Sequence, residues 1–205
     1  MMDAREVARH LVRMGYSTES PDESVLLCPL RLQKLLYYCQ GWTLALLGEP
    51  LFRQPIEAWK LGPVVKEVHQ QFAGKRHGIT PEEAGEPSEP ISETVTDLIE
   101  MIWREYAKFT PAELVKMTHD EPAWKEARVG VDPDESSSNV LSAETMKVYF
   151  TEVARKAVPK SKYPMPDPVE VWQADLQYER HPESATPMDE VFRKLKVSRS
   201  TQPVG

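Results

Sequence analysis

Apolar side chains recur every three or four residues in several parts of the chain, the spacing of an amphipathic helix. The longest such segment runs from Pro29 to Gly48, and its apolar residues cover nearly the whole circumference of a helix. Proline suits the first turn of a helix, and glycine suits the position just past its end. A helix that is apolar all round is buried, so residues 29–48 are predicted to form the central helix of the core. Gly41 in its interior predicts close approach of a neighbouring element.

Six shorter segments also show a helix start followed by apolar residues at helical spacing. They begin at or just after Asp3, Pro63, Ser92, Thr110, Pro122 and Ser142. Residues 50–62 are bounded by prolines and predict an extended stretch with at most one short β element. Residues 74–90, rich in glycine, proline and acids, predict an exposed loop. The fold class expected is mainly α, a compact multi-helix domain around the buried helix 29–48.

The composition changes after residue 157, because seven of the 18 prolines lie in the last 48 residues. We therefore predict a domain at 1–157 and a proline-rich C-terminal extension at 158–205. Two short amphipathic units within the extension carry apolar anchors, which are Trp172, Leu176, Tyr178, Val191, Phe192 and Leu195. Such anchors predict either a helix that docks in a partner's groove or a segment that wraps back onto the parent domain.

Charge is distributed unevenly along a chain whose formal net charge is −7. Residues 77–135 hold 5 basic and 15 acidic residues, a surface that repels phosphate backbones and either favours a basic protein partner or serves as a solvated face. Cys28 and Cys39, both read as small core residues, form no CxxC pair and follow no secretory signal, which predicts a reducing, cytoplasmic location. The longest apolar run is too short and too interrupted to span a bilayer, so a soluble protein is expected.

The spacings typical of catalytic sites are absent from the sequence, including GxSxG, GxGxxG, GxxxxGK and HExxH. His119 with Asp120 is the one local pair that could serve acid–base or metal chemistry, and it also fits an ordinary helix end. Arg5, Arg9 and Arg13 recur along one helix face, as either a phosphate-contacting strip or a solvated face. We predict that the chain is not an enzyme and has no catalytic residue, metal site or cofactor.

A long composite motif lies between residues 30 and 72. It reads LQKLLYYCQGW at 32–42, PLF at 50–52, IEAW at 56–59 and GPVV at 62–65, and HDEPAWKEAR follows at 119–128. This pattern resembles the Panacea domain of the SocA-like and GepA-like antitoxins over roughly residues 1–157. The family pattern has proline directly before tryptophan, whereas Ala123 intervenes here. The matching residues, interpreted as scaffold, are Leu32, Gln33, Lys34, Leu35, Tyr37, Tyr38, Gln40, Trp42, Trp59, Gly62, Pro63 and Trp124.

The resemblance implies an antitoxin of a two-gene toxin–antitoxin system, often carried by prophages or mobile elements. Its partner would be a cognate protein toxin, such as a translation-inhibiting enzyme similar to alarmone synthetases, neutralised by direct binding or by delivery to a cellular protease. Homo-oligomerisation stays open, while nucleic acid and membrane are not expected partners. Two alternatives are a DNA-binding autoregulator that uses the Arg5, Arg9 and Arg13 strip, and an unrecognised enzyme that uses His119 and Asp120.

Overall fold

The computed structural model describes residues 1–16, 27–75, 78–88 and 90–157. Within these ranges the chain forms eight helices and one two-stranded sheet, which confirms the mainly α prediction. The elements are α1 Ala4–Met14, α2 Pro29–Leu47, β1 Glu57–Trp59, β2 Gly62–Val64, α3 Lys66–Gln71, α4 Pro81–Ala84, α5 Glu93–Tyr106, α6 Pro111–Asp120, α7 Pro122–Ala127 and α8 Ala143–Ala157. No helix in these ranges combines the length and the apolar character needed to cross a membrane.

Helix α2 is the centre of the core, as its apolar circumference predicts. Every residue from Leu32 to Leu46 is buried, and Gly48 ends the helix in the left-handed conformation with φ of 79°. Helices α1, α5, α6 and α8 all pack against α2. Gly41 provides the predicted close approach, because a Cβ atom at this position would lie 2.1 Å from Cε2 of Phe150 on α8. The absence of a side chain at Gly41 therefore sets the distance between α2 and α8.

The prediction that a helix starts at Pro63 is wrong. Strands β1 and β2 form an antiparallel hairpin in which Ala58 lies opposite Pro63 and Trp59 opposite Gly62, and α3 begins only at Lys66. Proline at the first turn of a helix and proline in a short strand look alike in the sequence, and long-range contacts decide between them. The outer edge of β1 is also paired, since Ala58 N donates to Asn139 O at 2.8 Å and Leu141 N to Ile56 O at 2.8 Å.

The region predicted as an exposed loop at 74–90 contains the short helix α4. Thr80 and Glu83 form a capping box at its start, and Pro81 and Ala84 are buried. The segment is tied to α1, because Arg9 Nε donates to Ala84 O at 3.1 Å and Ser88 N donates to Glu6 Oε2 at 2.9 Å. These tertiary bonds order a region whose composition is typical of a loop.

Candidate functional site

An open groove of about 870 Å³ lies beside the hairpin, between the N-terminal end of α2, the start of α3 and residues 136–138. Its walls are mainly apolar and include Pro29, Leu30, Leu61 and Val64. Leu61 lies at the hairpin tip, where 54% of the residue is exposed. Ligand sites are typically concave and mostly apolar, so this groove is the candidate functional site among the described residues.

Trp59 forms one wall of the groove in a fixed orientation. Its indole Nε1 donates to Glu57 Oε2 at 2.7 Å, and its ring meets the His69 imidazole edge-on with centroids 4.7 Å apart. Trp59 is half-buried rather than part of the core. The ring therefore presents a rigid apolar surface to anything that enters the groove.

The hairpin that carries Trp59 and Leu61 is held from behind by side-chain donors. Arg128 Nη1 donates to Ala58 O at 3.1 Å and Trp124 Nε1 to Trp59 O at 3.0 Å. The His119 imidazole makes a hydrogen bond with the backbone of Lys60 and stacks on the Trp124 ring with centroids 3.8 Å apart. Because buried carbonyls need partners, these contacts fix the hairpin against α6 and α7.

Side chains of α2 hold β2 and the residue after it by hydrogen bonds to their backbone. Lys34 Nζ donates to Pro63 O at 3.0 Å, and Val65 N donates to Gln33 Oε1 at 2.7 Å. Gly62 has φ of 97°, and a Cβ atom there would lie 2.6 Å from Lys34 Nζ. Glycine is therefore required at position 62 both for its backbone conformation and for the room that Lys34 occupies.

A second polar cluster, deeper in the core, ties α2 to the junction of α6 and α7. Tyr37 Oη donates to Glu121 Oε2 at 2.6 Å, and Tyr38 Oη donates to Glu121 Oε1 at 3.0 Å. Burial and the neighbouring Glu121 carboxylate raise the pKa of both phenols well above the usual range. Both tyrosines therefore keep their protons and act as donors at every pH at which the protein would be studied.

Lys34 gives the unfolding free energy a pH dependence that can be measured. The residue is fully buried, and desolvation lowers the pKa of its ammonium group to about 7. The unfolded chain holds the same proton up to a pH of about 10.4. The destabilisation from burying this charge is therefore fully present below pH 7, and it is relieved as the pH rises from 7 towards about 10.4. The Lys34 ammonium interacts electrostatically with His119, which also interacts with Arg128. Neither of these side chains is a carboxylate that would favour the protonated form of Lys34.

We expect the Lys34 contribution to raise the unfolding free energy by about 2 kcal/mol between pH 7 and pH 9, because one proton is worth about 1.36 kcal/mol per pH unit. Urea unfolding of the wild type and of Lys34→Met at both pH values measures it. The comparison cancels the opposite contribution of the Cys39 thiol, whose pKa burial raises. An equal pH slope in the two proteins would contradict the prediction.

Comparisons with known proteins bear on the same region. Residues 32–125 match the family model described as antitoxin SocA-like, Panacea domain. These residues are therefore similar to a SocA-like Panacea domain. It is also 39% identical over 72 residues to Antitoxin SocA of Caulobacter vibrioides, a match that covers 35% of this chain and 36% of that relative. No solved structure matches the chain.

Most polar residues of the Panacea motif are turned inward. Gln33 is 3% exposed and Gln40 is 7% exposed. The Gln40 amide accepts a hydrogen bond from Leu51 N at 3.0 Å and donates one to Phe52 O at 3.1 Å. Trp42 Nε1 donates to Tyr106 Oη at 2.9 Å, while Leu32 and Leu35 are fully buried. The motif thus encodes mainly contacts inside the domain, and Gln33, Glu57, Trp59 and Val64 are the motif residues that also line the groove.

Several residues that the sequence singled out are separated by the structure. His119 stacks on Trp124, whereas Asp120 is exposed and pairs with Lys116 at 2.8 Å, so the two form no acid–base pair. Within the described ranges no three His, Cys, Asp or Glu side chains are placed to hold a metal ion. Cys39 is buried, but Cys28, predicted to lie in the core, is half-buried and lines the groove.

The arginine strip on α1 is neutralised by its neighbours. Arg5 pairs with Asp3 at 2.8 Å, Arg9 with Glu6, and Arg13 with Glu86. A helix face of paired arginines offers little free charge to phosphates, which weighs against the DNA-binding alternative.

The six predicted anchors of the C-terminal extension lie outside the described residues. Sequence reasoning missed Glu121, Arg128, Leu61 and Lys66, since residue type alone does not distinguish a buried acid or an exposed leucine.

Proposed function

We propose that this chain is an antitoxin that neutralises a cognate protein toxin by binding it directly. The match of residues 32–125 to an antitoxin domain and the similarity to Antitoxin SocA support this role. The observation that carries the proposal is the orientation of the motif's polar residues. Gln33, Lys34 and Gln40 are buried and bonded to the chain's own backbone, so the motif builds a scaffold whose outer surface is available to a partner.

The cytoplasm is the compartment we propose for this activity. Both cysteines are free thiols, as is usual for proteins of a reducing compartment.

Binding alone would block the toxin, and binding followed by delivery to a protease would remove it. The two outcomes differ in the amount of toxin that remains in the cell.

The proposal is tested by co-expressing the full chain with the protein encoded by the neighbouring reading frame. We expect that protein to arrest growth when it is expressed alone, and we expect growth to recover by at least 100-fold in colony count when the chain is present. The two proteins should co-elute from a sizing column. Growth arrest that persists although the chain accumulates to normal levels would overturn the antitoxin role.

An immunoblot of the toxin in the rescued cells separates blocking from proteolytic delivery, because only delivery lowers the amount of toxin. The growth-rescue assay also tests residues 158–205, which we propose as a partner-binding element. Trp172→Ala combined with Phe192→Ala in the full chain should reduce the rescue if residues 158–205 hold the toxin. Unchanged rescue would remove the extension from the mechanism.

A further inference from the structure

Leu61 is an apolar residue held in an exposed position by a braced backbone. It occupies the two-residue turn between β1 and β2, and its carbonyl neighbours are fixed by Trp124, His119 and Lys34. These hydrogen bonds hold the backbone of the turn in a conformation in which Leu61 is 54% exposed. A single exposed leucine is common on protein surfaces, whereas a contiguous exposed apolar surface marks an interaction site.

The groove beside Leu61 continues this apolar surface. Trp59, Val64, Pro29 and Leu30 line it, and its volume of about 870 Å³ is enough for several side chains of a partner. Aromatic residues in preformed pockets supply most of the binding energy of protein interfaces. Trp59, fixed by Glu57 and His69, has the properties of such an anchor.

The charge around the groove is opposite in sign to that of the chain as a whole. Lys60, Lys66 and Lys75 line it, against the single acid Glu57, whereas the chain carries a formal net charge of −7. The Glu57 carboxylate already accepts a hydrogen bond from the Trp59 indole. Lys60 pairs with Asp134 at 2.7 Å, and Lys75 pairs with Glu83. The Asp134 side chain is 87% exposed, and such surface pairs are weak enough to exchange partners.

We propose that this groove is the toxin-binding surface and that it takes a segment of the toxin in which an apolar side chain lies next to one or more carboxylates. The apolar side chain packs between Trp59 and Leu61, and the carboxylates face Lys60 and Lys66. The inference rests on the proposed antitoxin function and adds to it the location of the interface and the chemistry of the partner. Complementary charge at the rim sets the orientation in which the segment enters.

Calorimetry with the purified toxin and full-length variants tests the proposal. Leu61→Asp should raise the dissociation constant about 30-fold or more, the effect of losing a central interface anchor. Lys66→Glu should raise it about 10-fold at low salt and less at high salt. Val148→Asp and Lys156→Glu on α8 are matched controls, since Val148 is 49% exposed against 54% for Leu61, and both controls should bind within about 2-fold of the wild type.

The Cys28 thiol reports on occupancy of the groove in the unaltered protein. Cys28 lines the groove, while Cys39 is fully buried, so alkylation should modify Cys28 first. Saturating toxin should slow this reaction at least about 5-fold, whereas a cysteine placed by Val148→Cys in a Cys28→Ser background should react at an unchanged rate. The Trp172→Ala variant should leave the rate without toxin unchanged.

The outcomes separate failure of this inference from failure of the proposed function. A wild-type chain that neither binds the toxin nor protects growth would overturn both. Toxin binding that survives Leu61→Asp and Lys66→Glu, or that is lost in Val148→Asp instead, would overturn the groove alone. Faster Cys28 alkylation in Trp172→Ala would show that the chain's own extension fills the groove, and would likewise overturn it.

Discussion

Replacing Glu121 by alanine is expected to lower the free energy of unfolding by about 4 kcal/mol. The Glu121 carboxylate accepts hydrogen bonds from the Tyr37 and Tyr38 hydroxyls, and Glu121 is only 6% exposed. Hydrogen bonds to a charged group contribute about 1.5–3 kcal/mol each, and a buried donor left without a partner costs its full desolvation. Both phenols would be left in that state, because Tyr37 and Tyr38 are fully buried.

Urea unfolding followed by tryptophan fluorescence measures the effect. Glu126→Ala, an exposed acid one turn further on α7, is the control and should change the unfolding free energy by less than about 0.5 kcal/mol. Combining Glu121→Leu with Tyr37→Phe and Tyr38→Phe should recover much of the loss, since the two phenol hydroxyls that would be left without an acceptor are removed together with the carboxylate. A cost below about 1 kcal/mol for Glu121→Ala would contradict the role of the cluster.

Local signals in the sequence predicted the helices well. Ser92 and Thr110 each accept a backbone hydrogen bond at the start of the helix that they were expected to cap. Helix α2 has the bounds that Pro29 and Gly48 predict. These features depend on residues within one or two turns of each other, so they can be read without knowledge of the fold.

Features that depend on distant residues were not predictable in this way. Whether Pro63 starts a helix or lies in a strand is decided by pairing with Ala58 and by the Lys34 ammonium beneath it. Glu121 lies at the N-cap of α7, directly before Pro122. Its side chain bonds the tyrosines of α2 instead of the α7 backbone. No spacing in the sequence relates residues separated by more than 80 positions.

The candidate groove shows the same division. The composite motif located Trp59 and Gln33, which line it, and Lys34 and Trp124, which hold the hairpin in place. It placed Leu32 in the scaffold, and Leu32 is fully buried, but it did not indicate that Leu61 faces solvent. A recognised motif can therefore identify a scaffold while leaving the binding surface unassigned, because buried contacts account for most of the motif's residues.

Gly41→Val is expected to lower the free energy of unfolding by about 4 kcal/mol, above the usual range for overpacking, because the new atoms meet the closely packed Phe150 ring. A Cβ atom at position 41 would lie 2.1 Å from Phe150 Cε2. The Phe150 ring has little room to move, since the Tyr37 and Trp42 rings lie 5.8 Å and 5.3 Å away, centroid to centroid. Helix α8 would have to shift away from α2.

The gain in helix propensity from replacing a glycine, about 1 kcal/mol for alanine, does not offset this cost. Gly41→Ala should therefore still lose about 2 kcal/mol net. Adding Phe150→Leu to Gly41→Ala should restore part of the loss, so a double-mutant cycle should show coupling of at least about 1 kcal/mol. Gly48→Ala, with nothing within 4 Å of the new atom, should lose only the cost of its left-handed backbone, about 1 kcal/mol. Additive effects of Gly41→Ala and Phe150→Leu would show that this contact does not set the α2–α8 distance.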